Sequence, residues 1–187
     1  MGKLADFIYS AGMLKRTPRS GWLTINENPE SVASHCFRTA LIGYVLCKME
    51  KADEKTELSV LRNCVLHDIH EARIGDLHRT AKKYARVDEE RAMADVFAGL
   101  CFAKEAKEAL KKGGKAAEIS RDADLLDMIA EAKELKDLGN RYAQAWITNA
   151  SKSLKTGSAK KLLRELLETD SKNWLLGQGA GPSPRTG

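Results

Sequence analysis

Only two of the four prolines lie in the body of this chain, Pro18 and Pro29, and the next after them is Pro182. Proline lacks an amide hydrogen and clashes with the preceding turn, so it stops helices more reliably than any other residue. The long proline-free stretch is filled with apolar residues three and four apart, the spacing of one helix face. No segment alternates apolar and polar over any length, and no internal repeat is visible. The expected fold is all-α, a compact single-domain helical bundle.

The stretch around which the chain is organised runs from Cys64 to Asp76. Read as a continuous helix, it carries Leu58, Leu61, Val65, Ile69 and Ala72 on one apolar stripe. Cys64, His67, Asp68 and Glu71 fall on another, at i, i+3, i+4 and i+7. An imidazole and two carboxylates on one stripe need water or a cation. Gly75-Asp76 breaks the helix close by, which lets backbone and side chains converge on a pocket. Neighbouring helical residues point about 100° apart, so His67 and Asp68 reach one ion only from a helix edge. Other helices must supply the remaining ligands.

Before this stretch, Leu4, Phe7, Ile8, Ala11 and Leu14 predict a helix from 3 to about 15. The loop Thr17-Pro-Arg-Ser-Gly-Trp22 follows. Its arginine and tryptophan suit a phosphate and a base or sugar, though by sequence alone Trp22 suits a plug over the core better. Asn28-Pro-Glu-Ser31 announces the next helix, to about Met49, with Ser31 as N-cap and Val32, Cys36, Thr39, Ala40 and Gly43 inward. His35 lies beside that stripe, a position also held by hydrogen-bonded core histidines.

Beyond Asp76, one helix is expected from 88 to about 112, closed by Gly113-Gly114. Another is expected from about 115 to 138. Its core stripe is Leu125, Met128, Ile129 and Ala132, and Ser120, Asp124, Asp127 and Glu131 form a polar one. Asp124, beside Leu125-Leu126, is the carboxylate best set at a core edge; Asp122 lies nearer the helix start, where negative charge is favourable without any chemistry. Helices at about 140 to 153 and 158 to 170 complete a domain of residues 1–176. A Gly/Pro-rich tail, 177–187, is expected to be flexible.

Composition excludes several classes. The formal charge of +5 is spread along the chain, and no aromatic interleaving supports a nucleic-acid surface. No membrane span is expected. Cys36, Cys47, Cys64 and Cys101 show no C-x-x-C spacing and read as buried thiols of a cytoplasmic protein.

His35, then His67-Asp68, then a late Asp124 resembles the H…HD…D pattern of the HD-domain metal-dependent phosphohydrolases. Within that superfamily the chain is similar to the 5′-deoxynucleotidase branch. The residues carrying this are Leu14-Lys-Arg-Thr-Pro-Arg-Ser-Gly-Trp22, Pro29-Glu-Ser-Val-Ala-Ser-His35, His67-Asp-Ile-His-Glu-Ala-Arg-Ile-Gly-Asp76 and Asp124-Leu-Leu-Asp-Met-Ile129. The HD pair alone is weak; H-D-x-x-E-x-x-x-G-D joined to an upstream E-S-V-x-x-H is specific.

The resemblance implies that His35, His67, Asp68 and Asp124 bind one divalent transition metal, Co²⁺, Mn²⁺, Zn²⁺ or similar. It gives Glu71 a role in orienting or deprotonating water or in protonating the leaving oxygen. Asp76 would contact the sugar hydroxyl or assist the leaving 5′-oxygen. Arg19, with Arg16 as the alternative, and Trp22 would contact phosphate and deoxyribose. His70, His78 and Asp127 are left open as supporting or surface residues. The implied activity is hydrolysis of deoxyribonucleoside 5′-monophosphates by a homodimer. Two other readings stay open: another HD-type phosphohydrolase, such as a pyrophosphohydrolase or cyclic-nucleotide phosphodiesterase, and a non-catalytic nucleotide-binding module.

Overall fold

Helix starts in this chain are set by short polar side chains that take up otherwise unpaired amides. Ser31 accepts from the Ser34 amide at 3.2 Å, Asp53 from Thr56 at 2.7 Å, Asp88 from Arg91 at 2.8 Å and Thr156 from Ala159 at 3.2 Å. The protein is described from a computed structural model over residues 2–176; the expected flexible tail, 177–187, lies outside the described residues.

The helices are α1 (Lys3–Ala11), α2 (Val32–Met49), α3 (Glu54–Leu66), α4 (Glu71–Ile74), α5 (Glu89–Phe97), α6 (Ala103–Ala109), α7 (Gly114–Asp137), α8 (Ala143–Ser151), α9 (Gly157–Glu168) and α10 (Asn173–Leu176). Among the described residues there is no strand, so the fold is all-α as expected. An isolated antiparallel bridge joins Pro18 to Ser31, with Arg19 N donating to Glu30 O and Val32 N to Thr17 O, both at 2.9 Å. It pins the first loop against the start of α2.

α7 is the central element and packs against α2, α3, α8 and α9. The larger apolar cluster gathers Leu46, Val60, Cys64, Ile119, Leu126 and Ile129; the smaller holds Leu14, Val32, Cys36, Ile69 and Phe97. Cys64 belongs to the first and Ile69 to the second, so His67 and Asp68 fall where the chain crosses between them.

Five expectations need correction. The helix through the HD pair is not continuous: α3 ends at Leu66 and α4 begins at Glu71. Between them the ladder tightens to i→i−3 bonds, Ile69 N to Leu66 O, Glu71 N to Asp68 O and Ala72 N to Ile69 O. Residues three apart eclipse in such a turn, so Asp68 and Glu71 come to one side. The buried face of α3 is Val60 and Cys64, while Leu58 and Val65 are exposed. Gly43 of α2 explains this choice. A Cβ there would stand 2.9 Å from Cys64 Sγ and 3.0 Å from Val60 Cγ1, so α2 and α3 close over a glycine gap that fits small side chains.

The expected helix from 88 to 112 is two, α5 and α6, parted at Gly99 with φ 72°. On α7, Leu126 with Ile119 and Ala123 fills the core, and Leu125 and Met128 sit only partly buried beside it. Of the four thiols, all free, Cys101 is exposed rather than buried. α10 was not anticipated.

Candidate active site

His35 stands in the first turn of α2 and is fully buried. Its Nε2 lies 3.2 Å from His67 Nε2, 3.2 Å from Asp124 Oδ1 and 3.7 Å from Asp68 Oδ2. His67 Nε2 is itself 3.3 Å from that Asp68 oxygen. Three separate elements, α2, the α3–α4 turn and α7, thus gather donors from His67, Asp68 and Asp124 within 3.7 Å of His35 Nε2.

Hydrogen bonds on the far side of each ring settle what these donors are. His67 Nδ1 is 3.0 Å from the Cys64 carbonyl, which only accepts, so the ring carries its proton there. His35 Nδ1 faces Asp127 Oδ2 at 2.5 Å, and the other oxygen of Asp127 accepts from Arg38 Nε. Asp127, which accepts from Arg38 with one oxygen, accepts from His35 with the other, so Nδ1 is the protonated nitrogen of His35 as well. When both rings are neutral, Nε2 of His35 turns a lone pair toward His67, Asp68 and Asp124, and Nε2 of His67 turns one toward His35 and Asp68.

Lone pairs gathered this way repel unless a cation or proton lies among them. Donors about 2.1 Å from one ion stand about 3.0–3.4 Å apart at octahedral or tetrahedral angles. Three contacts here, His35–His67, His35–Asp124 and His67–Asp68, fall in that range, with His35–Asp68 longer at 3.7 Å. The outer carboxylate on His35 and carbonyl on His67 are the partners that orient metal-binding imidazoles. The residues therefore fit a divalent cation.

The titration behaviour has the same cause. Burial opposes charge on His35, but its hydrogen bonds to Asp124 and Asp127 outweigh it and raise the pKa to about 9. Burial likewise opposes charge on His67, and Asp68 raises it in turn. Burial pushes Asp68 and Asp124 up, and the imidazoles, with Arg19 for Asp68, hold both below the usual carboxylate range. The cluster takes up positive charge in whatever form is offered.

Glu71 is different. It is buried, its Oε2 has no hydrogen-bond partner, and burial with Asp68 and Asp76 raises its pKa to about 8. Arg19 reaches Asp68 from the first loop, Nη1 to Oδ2 at 3.2 Å. Asp76 accepts from the Ser20 amide at 2.7 Å, holding that loop beside the cluster. Gly75, at φ 75° and ψ 167°, makes the turn that delivers Asp76, a conformation essentially reserved to glycine. Arg16 is exposed and makes no ion pair among the described residues.

Trp22 corrects an expectation. It is only 2 % exposed and packs on the Trp146 ring at 4.4 Å between centroids, so it plugs the core and offers no face to a sugar. Trp146 instead lines a cavity of about 550 Å³ with Leu125, Met128, His78 and Asn149. Asp122 is also settled: fully buried, it accepts from the Lys155 and Thr156 amides and from Thr156 Oγ1. It caps the turn into α9 and stands apart from the cluster.

Sequence reasoning missed the support behind His35. Arg38 Nε meets Asp127, Nη2 meets Glu131 at 2.9 Å and Glu30 at 3.7 Å, and Nη1 meets Glu134 at 3.2 Å. A signal existed, since Arg38 follows His35 by three residues and Asp127 follows Asp124 by three. Each pair shares a helix face.

Comparison with known proteins came out consistently. Residues 11–166 match the HD domain family. The chain is 30% identical to the mouse protein named 5′-deoxynucleotidase HDDC2 over 148 residues, 74% of this chain and 72% of that one. It is 27% identical over 186 residues to 5′-deoxynucleotidase hdd1 of Schizosaccharomyces pombe, covering 91% and 92%. A conserved hypothetical protein of Pyrococcus furiosus superposes with TM-score 0.74 at 30% identity, over 88% of this chain and 99% of that one.

Proposed function

Since this chain belongs to the HD-domain family, we propose that it is a metal-dependent nucleotide phosphohydrolase, and more narrowly a 5′-deoxynucleotidase releasing phosphate from deoxyribonucleoside 5′-monophosphates. One observation carries the reading: two imidazole lone pairs and two carboxylates converge at ligand spacing, with both Nδ1 protons directed away. The narrower substrate is supported by relatives named 5′-deoxynucleotidases at 27% and 30% identity.

His35, His67, Asp68 and Asp124 would hold one divalent ion, with Co²⁺, Mn²⁺ and Zn²⁺ all compatible with mixed nitrogen and oxygen donors. Such an ion lowers the pKa of a coordinated water and screens the charge of a phosphate. Arg19, already within reach of Asp68, supplies a planar donor to the phosphate oxygens. Glu71 is a buried carboxyl with one idle oxygen and a pKa near the working range. That suits it to take a proton from water or pass one to the leaving oxygen. Asp76 keeps the Arg19 loop in register through Ser20, and a contact from its other oxygen to the sugar belongs to the same proposal.

The nucleoside would occupy the cavity lined by Trp146, Leu125, Met128, His78 and Asn149. Apolar walls with few polar groups are the usual lining of such a pocket. Two further parts of the proposal are a cytoplasmic setting, supported by free thiols at Cys36, Cys47, Cys64 and Cys101, and a homodimer. Exposed Phe37, Leu41, Tyr44 and Val45 on one side of α2 give a second copy an apolar face, which light scattering after gel filtration would check. No helix among the described residues is long and apolar enough to cross a membrane.

The test is a metal-by-substrate screen measuring phosphate release from deoxy- and ribonucleoside monophosphates, cyclic nucleotides and nucleoside triphosphates. Turnover of deoxyribonucleoside monophosphates that stops on chelation and returns with one metal is expected. Release from cyclic nucleotides or triphosphates alone would replace the narrower reading with a different phosphohydrolase.

A further inference from the structure

A second cavity, of about 480 Å³, lies beside Asp124 and shares no lining residue with the one that Trp146 lines. His67 and Asp124 line it, so it opens onto the four-donor cluster. Its other walls carry four cationic side chains: Lys111 and Lys112 before α7, Arg121 one turn before Asp124, and Lys155 before α9. Lys111 pairs with Glu108 at 2.6 Å, and Lys155 approaches Glu118, a lining residue, at 3.9 Å. Lys112 and Arg121 form no ion pair among the described residues.

The backbone adds to this charge. Gly113, also in the wall, is the N-cap of the 24-residue α7 and offers no side-chain acceptor to its first amides. Those amides are donors at the positive end of a long helix dipole. Along α7, Arg121, Asp124, Leu125 and Met128 follow at i, i+3, i+4 and i+7, so one helix face runs from the cationic cavity past the donor cluster to the aromatic one.

A monophosphate needs only the cluster and Arg19. A cationic cavity beyond them has charge and volume for further anionic groups in line with it. We propose that this cavity is an oligophosphate subsite, taking phosphoryl groups beyond the one bound at the donor cluster. It would accept inorganic pyrophosphate or the outer phosphates of a nucleoside di- or triphosphate. The position of this chain relative to a scissile phosphate rests on the function proposed above; the anion site itself does not.

Calorimetric titration of the full chain with inorganic pyrophosphate, metal-loaded and after chelation, tests the subsite. Lys112→Glu combined with Arg121→Glu changes two exposed side chains, and circular dichroism melting would verify the fold. Pyrophosphate should bind the chelated wild type, and the double variant should bind at least about tenfold more weakly, because charge-assisted contacts are replaced by repulsion. Equal affinity for wild type and variant would overturn the proposal. Phosphate release from dAMP, measured separately, keeps the two readings apart. Charge-sensitive pyrophosphate binding without turnover of any nucleotide sinks the enzymatic reading and leaves the subsite. Turnover with charge-insensitive binding does the reverse. Displacement of pyrophosphate by dATP about tenfold better than by dAMP would assign the subsite to nucleotides, and equal displacement would assign it to free oligophosphate.

Discussion

The rear of the His35 ring carries four carboxylates and the front two, and the two sides do opposite things. Behind the ring, Asp127, Glu131, Glu134 and Glu30 surround Arg38, whose three nitrogens each meet at least one of them. In front, Asp68 and Asp124 face two imidazole lone pairs, and Arg19 touches Asp68. The rear is a closed ion network that fixes the helices and the ring. The front has more acceptors than donors, and that surplus, not the number of acidic residues, marks the side where chemistry is expected.

The sharpest way to break this contrast is to neutralise one carboxylate on each side. Asp124→Asn should lower kcat/KM more than about 100-fold, whereas Asp127→Asn, acting through His35, should cost about 10–100-fold. Equal losses would erase the distinction. Metal titration followed by melting adds an independent readout. Ion at about 100 times its Kd should stabilise the wild type by about 2.7 kcal/mol, and Asp124→Asn should abolish that gain.

Stability should show the opposite ranking. Arg38→Leu strips the guanidinium from the rear carboxylates and should cost about 3 kcal/mol, the low end for breaking a buried pair because Arg38 is 27% exposed. Urea denaturation measures it. Asp124→Asn in the chelated protein should cost less, since Asp124 is 39% exposed and gives up only its contact with His35.

A smaller effect separates the sides by pH. Glu71 is raised from 4.5 to about 8 by burial, Asp68 and Asp76; Glu30 is raised to about 7 by burial, Asp127 and Glu131. Each folded-state pKa exceeds the unfolded one, so the stabilisation is complete below 4.5. It is lost as pH rises to about 8 for Glu71 and about 7 for Glu30. Glu71→Gln should therefore raise the melting temperature of chelated protein at pH 8.5 more than at pH 5. Metal should shrink that gain while leaving the Glu30→Gln gain in place. Smallest of all, Ser31→Ala removes the cap one turn before His35 and should cost about 1 kcal/mol, with a modest fall in metal affinity.

Much of this was legible in the chain. The spacing of apolar residues and the dearth of proline require helices, and Ser31 with its preceding Pro-Glu marks where α2 begins, because these are local properties of three or four neighbouring residues. The resemblance drew His35, His67, Asp68 and Asp124 from distant segments into one list, and those side chains do meet.

What tertiary structure decided depends on which helix faces which. Two apolar stripes were possible on α3, and only the gap at Gly43 of α2 selects Val60 and Cys64 over Leu58 and Val65. Trp22 could serve a core or a ligand, and the Trp146 ring, far along the chain, makes it core. Asp122, Asp124 and Asp127 lie within two turns of one helix and look alike in sequence. The first meets backbone amides of the turn into α9, the second the front of His35, the third an arginine and the back of His35. A carboxylate's role follows from the donors that surround it, and those donors come from segments that sequence periodicity does not bring together.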